Sequence, residues 1–98
     1  MSDENSENTK SPIEETREYH ARYLRAINNP VRREILRALK DGETTIETLQ
    51  SKTGLDLQRL EWHLSILENG SCIEKEIKKG TTLYRLTREG EVVDYMQD

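Results

Sequence analysis

In the stretch GLDLQRLEWHLSILENG, residues 54–70, the side chains with chemistry to offer recur at helical intervals: Gln58, Arg59, Trp62 and Ser65. Projected at a helical step of roughly 100° per residue, Leu57, Leu60, Leu64 and Leu67 fall on one stripe. Gln58, Arg59, Trp62, Ser65 and Ile66 fall opposite, with Glu61 nearer the stripe's edge. Amide, guanidinium and hydroxyl groups on a rigid rod suit the donor and acceptor edges of base pairs. Glutamine can bond an adenine edge, and arginine a guanine edge or a phosphate. A second cluster, Lys78 and Lys79 followed by Gly80 and Thr81, offers cations to phosphate; solubility at a loop tip is the competing explanation. Trp62 can lie against sugar-phosphate, pack on its own domain or bind a protein, and Ile66 beside it extends an apolar patch.

Other chemistries find little support. The chain holds two histidines, His20 and His63, and one cysteine, Cys72. A single cysteine excludes an internal disulfide and a Cys-rich zinc site. Cys72 occupies a position that calls for a small apolar residue, so burial rather than redox sensing is expected of it. His63 flanks the leucine stripe and is expected to be structural. With no Gly-rich phosphate loop, no HExxH and no nucleophile–base pair, the chain does not read as an enzyme, and no catalytic, metal or cofactor site is expected.

The elements that must position these residues can be traced from punctuation and period. Residues 1–10 contain no apolar side chain beyond the initial methionine and read as a disordered acidic leader ahead of one domain, 11–98. Ser11-Pro12 and Asn29-Pro30 each supply a cap and a proline at the first helical position. The first of these helices ends near Asn28-Asn29, and the second is closed by Asp41-Gly42. Thr45 caps a short third helix that stops at Gly54, and Asp56 caps a fourth running to Asn69-Gly70. Residues 72–77 and 81–86 are strand-like runs around Lys78-Lys79-Gly80, a hairpin with a basic tip. Thr87 caps a last helix carrying Val92, Val93 and Met96. The fold is therefore mainly α with a small β-hairpin, in the order α-α-α-α-β-β-α. Helices at 45–52 and 56–69 joined by Thr53-Gly54-Leu55 form a helix-turn-helix, and the hairpin makes it the winged variant.

Net charge is −4, unevenly placed: residues 1–18 hold six of the 19 acids and two of the 15 bases, leaving 13 of each in residues 19–98. The body lacks the strongly basic balance that most clearly marks nucleic-acid binding. No apolar run approaches the roughly 20 residues of a membrane span, and the composition suits a soluble cytoplasmic protein.

The residues also resemble a family. AINNPVRREILRALKDG resembles the second helix of ArsR-type winged-helix regulators, TIETLQSKTGLDLQRLEWHLSIL their helix-turn-helix with its His63-Leu64 pair, and KKGTTLYRLT their wing. The resemblance spans about residues 24–90. It implies a sequence-specific double-stranded DNA-binding transcriptional regulator, with helix 56–69 in the major groove and wing 78–81 on the backbone. The metal-sensing motifs do not carry over: helix three reads Thr45-Ile46-Glu47-Thr48-Leu49-Gln50, without a cysteine ligand. Thr81 stands where the family has a basic residue, and Ser71 where it has a glycine.

The expected DNA contacts are thus Gln58, Arg59, Trp62, Ser65, Lys78, Lys79 and Thr81. At most five side chains (Arg59, Lys78, Lys79, with Lys52 and Arg85) can reach phosphate, too few for one domain at physiological salt, whereas two copies on a palindrome suffice. The resemblance implies a homodimer built from the first and last helices, with Tyr19, Tyr23, Ile27, Val92, Tyr95 and Met96 in contact. The alternative function is a winged-helix protein-interaction module with little DNA binding, gripping a partner through Trp62 and Ile66. A leader that folds over the basic face and tunes DNA binding is a third expectation.

Overall fold

Each helix in the computed structural model, which describes residues 11–96, begins where a side chain can satisfy its unpaired amides. Helix α1, Pro12–Ile27, starts in a capping box: Glu14 N donates to Ser11 Oγ at 3.1 Å and Ser11 N to Glu14 Oε1 at 3.0 Å. Helix α2, Pro30–Ala38, is capped by Asn29, whose Oδ1 accepts from Arg32 N at 3.0 Å. Thr45 caps α3, Ile46–Thr53, and Asp56 caps α4, Leu57–Asn69, accepting from Arg59 N at 2.8 Å. Such caps contribute about 1 kcal/mol each. Gly54 ends α3 in the left-handed conformation, φ 75°, which lets the chain turn into α4 within three residues.

Strands β1, Ile73–Lys78, and β2, Thr81–Leu86, pair antiparallel from Ile73 opposite Leu86 to Lys78 opposite Thr81. Their two-residue turn, Lys79-Gly80, has positive φ at both positions (51° and 80°), the mirror-image geometry that matches strand twist. A third segment joins the hairpin. Thr44 N donates to Tyr84 O at 2.9 Å and Tyr84 N to Thr44 O at 2.8 Å, tying the wing to the loop before α3. The order of elements matches the sequence expectation, and the winged helix-turn-helix architecture is the one expected.

Several boundaries and environments differ from it. The last helix, Glu89–Tyr95, is 3₁₀ rather than α: it is one short segment with a glycine and paired valines, all poor at sustaining an α-helix. Thr87 does act at its start, its Oγ1 accepting from Gly90 N at 3.1 Å. Helix α2 stops at Ala38, before Asp41-Gly42. Ile66, placed outward on the projection, is only 6% exposed and belongs to the core, while Leu57, placed inward, is 47% exposed. Helix α4 packs against α1 on one side and against α2, α3 and β1 on others. Its buried sector is therefore turned toward Ile66 and His63, and Leu57 in the first turn overhangs it. The acidic leader 1–10 lies outside the described residues, as do 97 and 98.

The core joins Ile35, Leu36 and Leu39 of α2, Leu49 of α3, and Leu60, Leu64 and Leu67 of α4 to Ile73 and Val93. Cys72 is fully buried among them, and burial pushes its thiol up to about 11, leaving it protonated and unreactive near neutrality. Helix α4 crosses α1 at Gly70, where a Cβ would stand 2.6 Å from that of Ala26 and 2.8 Å from Arg22 O. The next residue, Ser71, takes φ 65°, a conformation costly for any side chain. Neighbouring substitutions should accordingly have opposite signs in urea denaturation. Gly70→Ala should lose about 1–3 kcal/mol by overpacking. Ser71→Gly should gain about 0.5–1 kcal/mol, the left-handed strain relieved less the added chain entropy of glycine.

Candidate nucleic-acid interface

The α3–turn–α4 unit presents one face of α4 to solvent. Gln58, Arg59, Trp62 and Ser65 are all exposed, and Leu57 and Glu61 join them. Ser65 Oγ is turned back on its own helix, donating to Trp62 O at 2.7 Å. Arg59 lies beside the cap, its Nε 3.6 Å from Asp56 Oδ2. Across a groove lined by Glu61, Leu64, Ser65, Glu68, Lys75 and Tyr84, the hairpin stands next to this face. The fold thus brings helix and wing onto neighbouring surfaces, and Lys75, absent from the expected contacts, faces the groove between them.

Wing residues Lys78, Lys79 and Thr81 are exposed as well. The wing is less cationic than its sequence suggests, because acids brought in by folding sit beside its bases. Lys78 Nζ lies 2.9 Å from Glu43 Oε1 and 3.9 Å from Glu76 Oε1, and the bond to Glu43 raises its pKa. Arg85 pairs with Glu74, and Lys52 Nζ lies 3.5 Å from Asp41 Oδ2. Of the five cations counted for phosphate contact, Lys79 alone forms no ion pair among the described residues. Exposed pairs of this kind are worth little in water, so phosphate can exchange for the carboxylates at small cost.

Trp62 is 55% exposed, and the rest of its ring packs on its own domain. Its ring meets that of His63 edge-on at 5.0 Å between centroids, and Arg32 Cζ stands 6.0 Å from its centre. Arg32, in the first turn of α2, is only 6% exposed although it carries a charge. Its Nε donates to Ala26 O at 3.0 Å and its Nη2 to Arg25 O at 2.8 Å, capping the end of α1, where the helix dipole favours a cation. Arg33 Nη1 adds a bond to Ile27 O at 2.9 Å. The remaining Arg32 contact runs from Nη1 to His63 Nδ1 at 3.2 Å. A guanidinium can only donate, so Nδ1 accepts and the neutral ring carries its proton on Nε2. The signal for this joint was present in sequence, as two arginines three and four residues after an Asn cap, but nothing local ties it to His63.

The residues expected at a dimer interface are divided. Tyr95 is 87% exposed and Tyr19, Tyr23, Val92 and Met96 are half-buried, whereas Ile27 is enclosed in its own core. Tyr23 Oη donates to Glu89 O at 3.4 Å, joining α1 to the 3₁₀ helix. Ile13 and Leu24 of α1 are also exposed. Among the described residues no helix is long and apolar enough to cross a membrane, and no group of three or more His, Cys, Asp or Glu could hold a metal ion.

Burial, and after it the charge of Arg32, lowers the pKa of His63 below its ordinary value. The unfolded chain therefore binds more protons in the interval between the two values. Stability from this group is complete above the unfolded value near 6.5 and is lost as pH falls from there toward the folded value. Thermal melts should show the midpoint dropping as pH falls below about 6.5. In His63→Gln, whose amide oxygen can still accept from Arg32, that part of the pH dependence should vanish; an unchanged slope would remove His63 as its source.

Residues 27–74 match the family model described as a helix-turn-helix domain. No curated protein sequence matches the chain. Among solved structures it is similar to NolR from Sinorhizobium fredii, 27% identical over 90% of this chain and 91% of that one, with a TM-score of 0.71. It is similar to the homodimeric winged helix-turn-helix DNA-binding domain of a possible ArsR-family transcriptional regulator from Mycobacterium bovis, 25% identical over 90% and 81%, with a TM-score of 0.74. It is similar also to HlyU from Vibrio cholerae, 25% identical over 84% and 91%, with a TM-score of 0.70.

Proposed function

We propose that this ArsR-like winged helix-turn-helix protein is a transcriptional regulator that reads double-stranded DNA as a homodimer. The observation that carries the proposal is the exposed face of α4, held outward by the capped helix-turn-helix and flanked by the wing. Helix α4 enters the major groove. Gln58 bonds an adenine edge, Arg59 a guanine edge or a phosphate, and Ser65 turns its hydroxyl from Trp62 O to a base or phosphate. Trp62 lies along the sugar-phosphate wall, its ring braced by His63 and Arg32. Lys78, Lys79 and Thr81 follow the adjacent backbone, with Lys78 leaving Glu43 for phosphate.

Two copies pair through α1 and the 3₁₀ helix, using Tyr19, Tyr23, Val92, Tyr95 and Met96 together with exposed Ile13 and Leu24. The homodimeric Mycobacterium bovis domain supports this arrangement, as does the apolar surface these elements leave uncovered. Ile27 contributes from within the core, by shaping α1. The protein-interaction alternative loses much of its basis, because Ile66, its second anchor, is buried.

Fluorescence anisotropy with duplexes selected from a randomised pool tests the function, read across a salt series. Binding should tighten as salt falls, and Lys79→Ala should reduce the log–log salt slope by about 1 per protomer. Arg59→Ala should weaken binding roughly tenfold. Failure of the native protein to bind any duplex at low salt would refute the function. A sedimentation mass unchanged by Tyr95→Glu would refute the assigned dimer contacts.

A further inference from the structure

We infer that Glu61 is a specificity-determining residue that selects cytosine at one position of each half-site. The inference rests on the proposed DNA-reading function and extends it to a residue that the helical projection had set near the leucine stripe. Because the buried sector of α4 is turned toward His63 and Ile66, Glu61 is exposed, one turn from both Leu57 and Ser65 and adjacent to Trp62. It lines the groove between α4 and the wing. Among the described residues its carboxylate has no ion pair or hydrogen bond, while the acids of the wing, Glu74 and Glu76, are engaged with Lys78 and Arg85.

An unpaired carboxylate at this place cannot be neutral in its effect on DNA. Phosphates flank the groove, so an anion there is repelled unless a base donates to it. In the major groove guanine offers two acceptors, and thymine an acceptor and a methyl group. Adenine has a donor amino group, but its N7 lone pair lies beside it. Cytosine presents its N4 amino group with no acceptor of its own on that edge, and is the base whose partner is a carboxylate. Glu61 therefore bonds cytosine N4 and disfavours the other three bases. Gln58, one turn earlier on the same face, reads a neighbouring pair with the opposite requirement for both donor and acceptor. A helix carrying one such anion gives up non-specific affinity and gains discrimination, consistent with a folded body that has no net charge.

Selection from randomised duplexes with the full chain, its Glu61→Ala variant and its Glu61→Gln variant tests this. Thermal melts should confirm that both variants fold, as expected for an exposed side chain without partners. The native chain should enrich a motif with one cytosine per half-site, preferred about tenfold over other bases. Glu61→Ala should flatten that position to within about twofold, leave the other positions intact and bind non-specific duplex more tightly. Glu61→Gln should shift the position toward adenine. If the native chain enriches a motif and Glu61→Ala enriches the same one unchanged, Glu61 does not read a base. A uniform gain across all sequences reduces its role to repulsion and overturns the inference equally. A native chain that enriches no motif refutes the DNA-reading function itself, a separate result.

Discussion

The buried guanidinium of Arg32 is the joint on which the other elements depend. It takes up two carbonyls at the end of α1, stands in the first turn of α2 and reaches the imidazole of His63 on α4. Three helices that meet at an angle leave unsatisfied polar groups where they converge, and a flat donor with five N–H groups can serve several of them at once. Losing one partner would strand a charge or two carbonyls in an environment nearly closed to water, a larger penalty than the bonds' own net worth. The consequence reaches the surface, because the ring of Trp62 rests on His63 and near Arg32. The shape of the exposed face is thus set partly by how α1 ends.

Much of this architecture was legible in the sequence because its signals are local. Ser11, Asn29, Thr45 and Asp56 each act as the caps their positions imply, and Gly54 adopts the left-handed turn that the helix-turn-helix needs. The Lys79-Gly80 turn likewise needs only its own two residues and the strands beside it.

What sequence did not disclose depends on neighbours distant in the chain. The projection of α4 weighted four leucines equally, but a helix packed on several sides buries the sector its neighbours cover. That sector includes Ile66 and His63 and leaves Leu57 outside. Arg32 finds Ala26 and Arg25 close by in the chain, but its third partner, His63, lies 31 residues away. The wing looked basic because Glu43 is far from Lys78 in sequence and adjacent in space. Charge counted along a chain and charge met by an incoming phosphate are different quantities, and folding makes the difference. The Thr44–Tyr84 bridge has the same origin: a single residue pair in a loop carries no period.

Cys72 is as completely enclosed as any residue of the core. The only thiol in the chain is enclosed, held largely protonated and packed where α4, the hairpin and the 3₁₀ helix come together. A thiol reagent can reach it only when those elements separate. Its labelling rate is then a clock for opening of the core, readable without mutation. A cysteine introduced at an exposed wing position would react far sooner, so a dye could be placed at that tip selectively while the native thiol keeps time.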